Sequence, residues 1–369
     1  MKAIAIVPGQ SIVRLVDRPE PMISQPDEVK LKTIRVGICG TDREEVAGGR
    51  ADPPFGQNEL VIGHEMLAQV TEVGASVSRV KPGDLAVFTV RRGCGRCLPC
   101  SMNRSDMCET GDYRERGIKG MDGYQTEFIV DREQYLIRVP AELEPVAVLT
   151  EPLSIAEKAI DEAVRIQFAR LPDAQATPNW LYGRRCLVAG LGPVGLLAAM
   201  ILRLRGAEVY GLDVVEPGSA RPQWLEHIGG SYVDGRKVPA DKIETRLPPM
   251  ELIIEAAGIA SLQFNLVDAL ALDGIYVPTG IPGGDRPLQL DGAELIRSLV
   301  LRNLGMVGSV NAARDHYQLA VEHLYEGNLR WPGWVSRLIT GRKTVDQYDE
   351  ALQHHDPDEI KTVIAWGNT

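Results

Sequence analysis

The sequence predicts an α/β protein with two domains, one rich in β-strands and one built on a doubly wound parallel sheet. A length of 369 residues favours about two domains. Residues 1–150 alternate short β-like runs with Gly and Pro turns. From about residue 154 to residue 307, helical and strand patterns alternate, which is typical of a parallel sheet covered by helices.

The β-rich part contains short apolar runs that are typical of strands. Strands are predicted at 29–36, 66–73, 85–90 and 126–130. Helical periodicity begins at Ser154, a candidate N-cap, and continues to residue 170. A polar loop is predicted over 171–182.

The second part repeats strand and helix. Strands are predicted at 186–189, 208–212, 251–255 and 274–279. One helix is predicted to follow the glycine-rich turn and to end at Arg205. Further helices are predicted at 261–272, 293–302 and 314–326. The closing sequence KTVIAW predicts a last strand that returns to the first domain.

The turn after the strand at 186–189 carries three glycines in the pattern G-x-G-x-x-G, Gly190, Gly192 and Gly195. The glycines permit a tight turn, a close approach of the backbone to a pyrophosphate, and close packing of helix on strand. The helix N-terminus offers free N–H groups to phosphate, and Asp213, at the end of the next strand, can accept hydrogen bonds from a ribose 2′-OH. This context predicts a nicotinamide dinucleotide site, with a purely structural glycine turn as the alternative.

Composition excludes several function classes. The net charge of −10 argues against a nucleic-acid partner or an anionic membrane surface. No apolar run approaches the ~20 residues of a membrane span, and the apolar start MKAIAIV is too short for a signal peptide. Six cysteines, four of them clustered, suit metal binding in a reducing compartment, so a cytoplasmic location is expected.

The clustered cysteines, Cys94, Cys97, Cys100 and Cys108, form C-x2-C-x2-C-x7-C in a polar, Gly-rich loop. Four thiolates on a tight loop suit a closed tetrahedral zinc site that orders the loop. An iron–sulfur cluster or unpaired thiols are the alternatives.

A second, sparser set comprises Cys39, His64, Glu65 and Glu151. One thiolate, one imidazole and one or two carboxylates can hold a zinc ion with an exchangeable position, as a catalytic metal requires. The alternative is a buried cysteine and a hydrogen-bonded histidine on separate strands.

Cys39-Gly-Thr-Asp, Gly63-His64-Glu65, the four-cysteine loop and the dinucleotide fold follow one another in this order along the chain. Together they resemble the zinc-dependent medium-chain alcohol dehydrogenases, and the resemblance covers essentially the whole chain. Four stretches resemble the glucose 1-dehydrogenase branch, namely CGTDREEVAG, RRGCGRCLPC with DMCETGDYRERGI, EPLSIAEKAIDE and LVLRNLGMVGSVNA. The resemblance implies a GroES-like catalytic domain at 1–153 and 310–369, with a structural zinc lobe at 91–110, and a Rossmann dinucleotide-binding domain at 154–309.

The resemblance also implies roles for the metal and substrate residues. Cys39, His64, Glu65 and Glu151 would surround the catalytic zinc, and which carboxylate coordinates it varies within the family. Thr41, Glu65 and Glu151 would be catalytic, with the Thr41 hydroxyl relaying a proton. Thr41, Glu151, Glu115 and Asn311 would contact substrate, the last two through sugar hydroxyls. Alternatively, Glu115 is a solvated acid and Asn311 caps a helix.

The resemblance places cofactor contacts along the second domain. The residues 191–194 would touch the pyrophosphate, and the segments 279–281 and 309–311 would pass near the nicotinamide. The full set implied is Gly190, Leu191, Gly192, Pro193, Val194, Gly195, Asp213, Val214, Val215, Thr279, Gly280, Ile281, Ser309, Val310 and Asn311.

Three departures from the family pattern bear on specificity. Members that use NADP carry basic residues where this chain has Asp213, Val214 and Val215, and a carboxylate repels a 2′-phosphate, so NAD is predicted. Arg221 is the nearby cation that would permit NADP. Val90 and Leu301 stand where some members place polar groups near the substrate.

The sequence therefore predicts a dehydrogenase with two zinc ions per chain that oxidises the C1 hydroxyl of an aldose to a lactone with NAD. The first alternative is the same chemistry on a polyol, an amino alcohol or a simple alcohol. A non-catalytic NAD-binding sensor is the alternative of another class. The expected partners are a small sugar or alcohol and further copies of the chain, as a homodimer or homotetramer.

Overall fold

The structure is a computed structural model that describes residues 1–238, 240–283, 287–354 and 356–367. The chain separates into two compact units, Met1–Ser154 with Asn311–Thr369, and Ile155–Val310. Among the described residues, no helix is both long enough and apolar enough to cross a membrane.

The strands and helices are numbered along the chain. The strands are β1 (Lys2–Ile6), β2 (Val13–Asp17), β3 (Glu28–Ile38), β4 (Leu60–Val61), β5 (Glu65–Val73), β6 (Leu85–Phe88), β7 (Arg91–Arg92), β8 (Arg114–Arg116), β9 (Gly120–Met121), β10 (Phe128–Arg132), β11 (Leu136–Val139), β12 (Arg185–Ala189), β13 (Glu208–Asp213), β14 (Ser231–Asp234), β15 (Met250–Glu255), β16 (Leu270–Pro278), β17 (Gly305–Met306), β18 (Ile339–Thr344) and β19 (Lys361–Ala365). The α-helices are α1 (Gly40–Val46), α2 (Leu98–Ser101), α3 (Thr150–Arg170), α4 (Pro172–Gln175), α5 (Pro193–Leu204), α6 (Ala220–His227), α7 (Ala260–Asn265), α8 (Gly292–Leu301), α9 (Arg314–Arg330) and α10 (Tyr348–Gln353). Short 3-10 helices cover Ser105–Met107, Glu133–Tyr135, Ala141–Leu143, Ala147–Leu149, Ala240–Thr245, Leu266–Ala269, Val335–Leu338 and Val345–Gln347.

The first unit is built on β-sheets. Its largest sheet runs β11-β6-β5-β3-β19-β18, with β10 also paired to β3. The pairing of β19 with β3 brings the end of the chain back to the first unit, as the sequence predicts. Buried apolar side chains such as Leu31, Met66, Phe88 and Ile364 form its core. Smaller sheets, β2-β1-β4 and β7-β8-β9, complete the unit.

The second unit carries a six-stranded sheet in the order β14-β13-β12-β15-β16-β17, and its strands are parallel. This is the doubly wound order, in which the direction of winding reverses at β12. Ligands of such sheets bind at the carboxyl ends of the strands beside that reversal. In this chain the ends beside it are those of β12, β13 and β15, at Ala189, Asp213 and Glu255.

Several predicted boundaries are wrong. The long helix begins at Thr150, whose hydroxyl donates to the Ala147 carbonyl, so Ser154 lies inside the helix and donates to the Glu151 carbonyl. Pro152 does not prevent the earlier start, since the first turn of a helix needs no N–H donors.

The predicted helix over 261–272 is also too long. Helix α7 ends at Asn265, and the chain enters β16 at Leu270. The leucines there fit a helix and a buried strand equally well, and pairing with β15 decides for the strand. The predicted loop at 171–182 contains the short helix α4, and β6 ends at Phe88 rather than at residue 90.

Candidate active site

The structure brings Cys39, His64 and Glu65 together. Their ligand atoms all lie within 4.8 Å of one another. Cys39 follows β3 and caps α1, while Glu65 begins β5 opposite Gly37 of β3. His64 is 4 % exposed and Glu65 1 % exposed. A thiolate, an imidazole and a carboxylate are the donor types that zinc takes in proteins.

Asp42, in the first turn of α1, organises this cluster. Its Oδ2 accepts the Cys39 N–H at 2.7 Å, its Oδ1 accepts the Gly63 N–H at 3.1 Å, and that same Oδ1 lies 3.5 Å from Nδ1 of His64. Burial raises the pKa of the Asp42 carboxyl, but the neighbouring His64 and the Cys39 N–H outweigh it, so the pKa lies below its ordinary value. With Nδ1 turned to a carboxylate, Nε2 of His64 is the nitrogen available to a metal, which is how metal-binding histidines are usually oriented.

Lys361, on β19, is a second unpredicted member of the site. Its ammonium donates to both carboxylate oxygens of Glu65, at 2.7 and 2.6 Å, and to the Ile38 carbonyl at 2.9 Å. Burial lowers the pKa of Lys361, but Glu65 more than compensates, so the pKa lies above its ordinary value. The Glu65 carboxylate is thus shared between the cluster and a buried cation.

Glu151 and Thr41 stand close by. Glu151 is the second residue of α3, and burial raises the pKa of its carboxyl to about 7, with His64 opposing and Glu65 adding to the shift. Its carboxylate lies outside the 4.8 Å cluster. Thr41, half-buried, occupies the first turn of α1. Coordination of a metal by Glu65, by Glu151 or by both stays a prediction.

Glu115 and Asn311, 196 residues apart, are hydrogen-bonded through Nδ2 of Asn311 and Oε1 of Glu115. Asn311 adopts a left-handed conformation, with φ +64°. Arg91 binds the same carboxylate oxygen, at 3.1 Å from Nε and 2.9 Å from Nη2. Val90 is buried, and its aliphatic side chain offers no polar group.

The four-cysteine loop gathers its thiols. The ligand atoms of Cys94, Cys97, Cys100 and Cys108 lie within 4.8 Å of one another, and the Cys94 and Cys100 sulfurs are 4.0 Å apart. Zinc–sulfur bonds of about 2.3 Å in a tetrahedron place sulfurs about 3.8 Å apart, so the spacing fits zinc. Hydrogen bonds from the Thr110 hydroxyl and the Arg96 N–H lower the pKa of the Cys94 thiol to about 6, which favours the thiolate that a metal binds.

The glycine turn of the second unit joins β12 to α5. Gly190 has φ +88°, and Leu191 donates its N–H to Oδ2 of Asp213 at 2.9 Å. Gly192 is the N-cap of α5, and a Cβ built there meets nothing within 4 Å. Open space beside free N–H groups fits a bound pyrophosphate. Pro193 and Val194 form the half-buried first turn, and Gly195 is buried.

The carboxyl end of β13 carries Asp213. Nη1 of Arg221 lies 3.5 Å from its Oδ2. The Tyr232 hydroxyl donates to the carbonyls of Asp213 and Val215, at 3.0 and 2.6 Å, and so fixes this segment. Val214 is exposed.

The remaining predicted cofactor segments follow β16 and β17. Thr279 donates its N–H and its hydroxyl to the Glu255 carbonyl, at 2.8 and 2.7 Å, and the Gly280 N–H reaches the same oxygen. Ser309 donates its N–H to the Pro278 carbonyl. Ile281 and Val310 are exposed. Leu301, at the end of α8, is 73 % exposed.

Comparison with known proteins decides the family. Residues 25–141 match the family "Alcohol dehydrogenase GroES-like domain", and residues 144–366 match "Glucose dehydrogenase C-terminus". The chain is 37 % identical to a glucose 1-dehydrogenase of Methanocella arvoryzae over all of both chains. It is 39 % identical to glucose 1-dehydrogenase 1 of Caldivirga maquilingensis, covering 99 % of this chain and 98 % of that one.

The chain belongs to the glucose dehydrogenase branch of the zinc-dependent medium-chain alcohol dehydrogenases.

A solved structure agrees with this assignment. The glucose dehydrogenase of Haloferax mediterranei, in complex with NADP, Zn and gluconolactone, matches all of this chain with a TM-score of 0.89 and 31 % identity. The predicted fold class, GroES-like plus Rossmann, and the predicted family are therefore confirmed. This medium-chain dehydrogenase is an NAD(P)-dependent enzyme, so the alternative of a non-catalytic sensor is set aside.

Sequence reasoning missed three residues that order the site of this dehydrogenase. Asp42 is the fourth residue of the Cys-Gly-Thr-Asp motif, so its spacing from Cys39 was a usable signal. Lys361 and Arg91 carry no local signal, because their partners Glu65 and Glu115 lie 296 and 24 residues away.

Proposed function

We propose that this dehydrogenase oxidises the C1 hydroxyl of an aldopyranose such as D-glucose to the lactone, passing the hydride to NAD⁺. The observation that carries the proposal is the hydrogen-bonded pair of Glu115 and Asn311. A carboxylate and an amide side by side offer both acceptors and a donor to neighbouring hydroxyls, as a polyol requires. The gluconolactone bound by the Haloferax relative supports the same substrate class.

Cys39, His64 and one or both of Glu65 and Glu151 would hold a catalytic zinc ion, and the four cysteines of the lobe would hold a structural one. When bound, the catalytic zinc supplies a Lewis acid that makes a substrate hydroxyl more acidic. The donor types and the buried His64–Asp42 contact support this assignment.

The chain's own residues would bind the sugar and move the proton. Thr41 cannot act as a base at neutral pH, but its hydroxyl both donates and accepts, so it can relay a proton outward. Glu151, with its pKa raised to about 7 by burial, can hold or release a proton near neutral pH. Glu115 and Asn311 would bind the sugar hydroxyls and so fix the orientation of the ring.

We further propose that NAD is preferred over NADP. The Asp213 carboxylate ends β13 and accepts the Leu191 N–H at Oδ2 and the Val214 N–H at Oδ1. Each oxygen carries a second lone pair that can accept from a ribose hydroxyl. The negative charge of Asp213 opposes a 2′-phosphate. Arg221, 3.5 Å away, is the group that would have to turn toward a phosphate for NADP to compete.

A second candidate is the same reaction on a polyol, an amino alcohol or a simple alcohol. The specific observation behind it is Val90, which is 2 % exposed and aliphatic, next to the pair of buried groups at Arg91 and Glu115. A less polar pocket would cost most for a fully hydroxylated sugar.

The deciding experiment uses D-glucose carrying deuterium at C1. The proposal predicts that the label appears in the reduced nicotinamide and that the lactone accumulates in equal amount. Turnover of a linear polyol, with D-glucose inert, would establish the second candidate instead.

A further inference from the structure

Arg91 is the first residue of the cysteine lobe, residues 91–110, and its side chain binds the carboxylate of Glu115, which we propose as a substrate contact. It stands in β7, two residues before the glycine that precedes Cys94, and β7 pairs with β8 so that Arg91 lies opposite Glu115. Both side chains are buried, Arg91 at 7 % and Glu115 at 8 % exposure. A buried carboxylate needs a partner of opposite charge, and Arg91 supplies it.

The two oxygens of the Glu115 carboxylate differ in their hydrogen bonds. Oε1 accepts from Nε and Nη2 of Arg91 and from Nδ2 of Asn311. Within the described part of the chain, no side chain or backbone group is hydrogen-bonded to Oε2. Arg91 therefore fixes the rotation of the carboxylate and leaves one oxygen to accept from a ligand hydroxyl.

The third nitrogen of the Arg91 guanidinium is hydrogen-bonded to the cysteine lobe, so Arg91 links the Glu115 carboxylate to the lobe. Nη1 of Arg91 donates to the Asp106 carbonyl at 2.9 Å, in the 3-10 turn just before Cys108. The Asp106 carboxylate is held in turn by Arg104 at 2.9 and 2.8 Å. The Tyr113 ring packs against the guanidinium, 3.9 Å from its Cζ, on the segment that leaves the lobe.

We propose that Arg91 is a positioning residue for substrate: it holds Glu115 with Oε2 presented to a sugar hydroxyl and couples that carboxylate to the cysteine lobe. The inference rests on the proposed function, in which Glu115 binds the sugar. Only the planar fork of an arginine reaches Glu115 through two nitrogens and Asp106 through the third.

The test is Arg91→Lys, which keeps the charge but loses the fork. Loss of oriented, charge-assisted hydrogen bonds predicts a KM for D-glucose that rises roughly ten- to a hundredfold, with a smaller change in kcat and a KM for NAD⁺ within about twofold. Equilibrium binding, followed as the shift of the melting temperature by D-glucose, should weaken in parallel. The matched control is Arg96→Lys in the same lobe, because its ion pair with Asp112 is exposed. This control should change neither the KM for D-glucose nor the shift of the melting temperature by D-glucose.

A double-mutant cycle separates positioning from general stability. If Arg91 acts through Glu115, Arg91→Lys should add little to the KM effect of Glu115→Gln. Additive effects, or a KM within about twofold in Arg91→Lys while wild-type protein turns over glucose, would overturn the inference and leave the proposed function standing. Wild-type protein that neither turns over nor binds an aldose would overturn both.

A second variant keeps the inference testable if Arg91→Lys folds poorly. Tyr113→Leu removes the ring beneath the guanidinium and leaves every hydrogen bond of Arg91 possible. It should raise the KM for D-glucose by roughly two- to fivefold, in proportion to a cation–π contact, with the KM for NAD⁺ unchanged. A Tyr113→Leu enzyme with a wild-type KM for the sugar would count against the proposal.

Discussion

Gly192 and Gly195 lie three residues apart in the same turn, and substitution by alanine should affect a different property at each. Stability should fall at Gly195, and affinity for the cofactor should fall at Gly192. A Cβ at Gly195 would overlap the Gly190 carbonyl oxygen and lie 3.0 Å from the Gly190 carbonyl carbon, and backbone atoms cannot move aside cheaply. Gly195→Ala should therefore lower the free energy of unfolding by about 1–3 kcal/mol.

Gly192→Ala meets no atom within 4 Å, and its backbone, at φ −69° and ψ −173°, is open to alanine. Its free energy of unfolding should change by less than about 1 kcal/mol. The new methyl group would instead occupy the space proposed for the pyrophosphate. Losing one hydrogen bond to a charged group, about 1.5–3 kcal/mol, weakens binding by about 10- to 150-fold.

Two assays on the same preparations check this contrast. Urea denaturation, followed by tryptophan fluorescence, to which the buried Trp180 and Trp224 of this unit contribute, reports stability. Titration with NADH reports affinity. A Gly192→Ala protein that binds NADH as tightly as wild type would refute the placement of the pyrophosphate. A Gly195→Ala protein as stable as wild type would refute the packing argument.

Three further predictions concern the metals and a buried acid. His64→Ala should remove the catalytic zinc alone, lower kcat/KM by about 10³-fold or more and leave far-UV circular dichroism unchanged; a variant of near wild-type activity would contradict the proposed metal role. Cys100→Ser should remove the other zinc and lower the melting temperature, because Cys97 is the only buried apolar side chain among the described residues 91–110; zinc analysis and calorimetry check this, and an unchanged metal content would exclude a four-cysteine site. Glu45 is fully buried, its carboxylate oxygens have no hydrogen-bond partner among the described residues, and burial raises the pKa of its carboxyl to about 9. The folded protein thus keeps a proton that the unfolded chain loses above its ordinary pKa of 4.5. The free energy of unfolding of the wild type, relative to that of Glu45→Gln, should therefore fall as pH rises from about 5 to 8, by at most about 1.4 kcal/mol per pH unit. Denaturation at several pH values in which this difference stays constant would contradict the prediction.

Features that one short stretch of sequence encodes are the most predictable. The G-x-G-x-x-G turn and the cysteine loop each depend on residues a few positions apart, so spacing alone carries the geometry. The cluster of Cys39 and His64 was harder, since it depends on the pairing of β3 with β5. It was predicted because the resemblance supplied what spacing did not.

The groups that hold the functional side chains were not predictable in this way. Lys361 reaches Glu65 only because β19 returns beside β3, and a lone lysine in a strand gives no sign of a buried partner. Arg91 looks like an ordinary charged residue until the lobe folds around it. The error at residues 261–272 has a related cause, because apolar residues there satisfy both periodicities until β15 provides the pairing partner.

Oxidation of an aldose with NAD⁺ is the reaction that we propose for this dehydrogenase. The measurement that tests it is the initial rate of zinc-replete protein on D-glucose, D-galactose and D-xylose, each with NAD⁺ and with NADP⁺. We expect turnover of at least one aldose to its lactone, with a higher kcat/KM for NAD⁺ than for NADP⁺. Inertness toward all three sugars with both cofactors would contradict the substrate, and a higher kcat/KM with NADP⁺ would contradict the role given to Asp213.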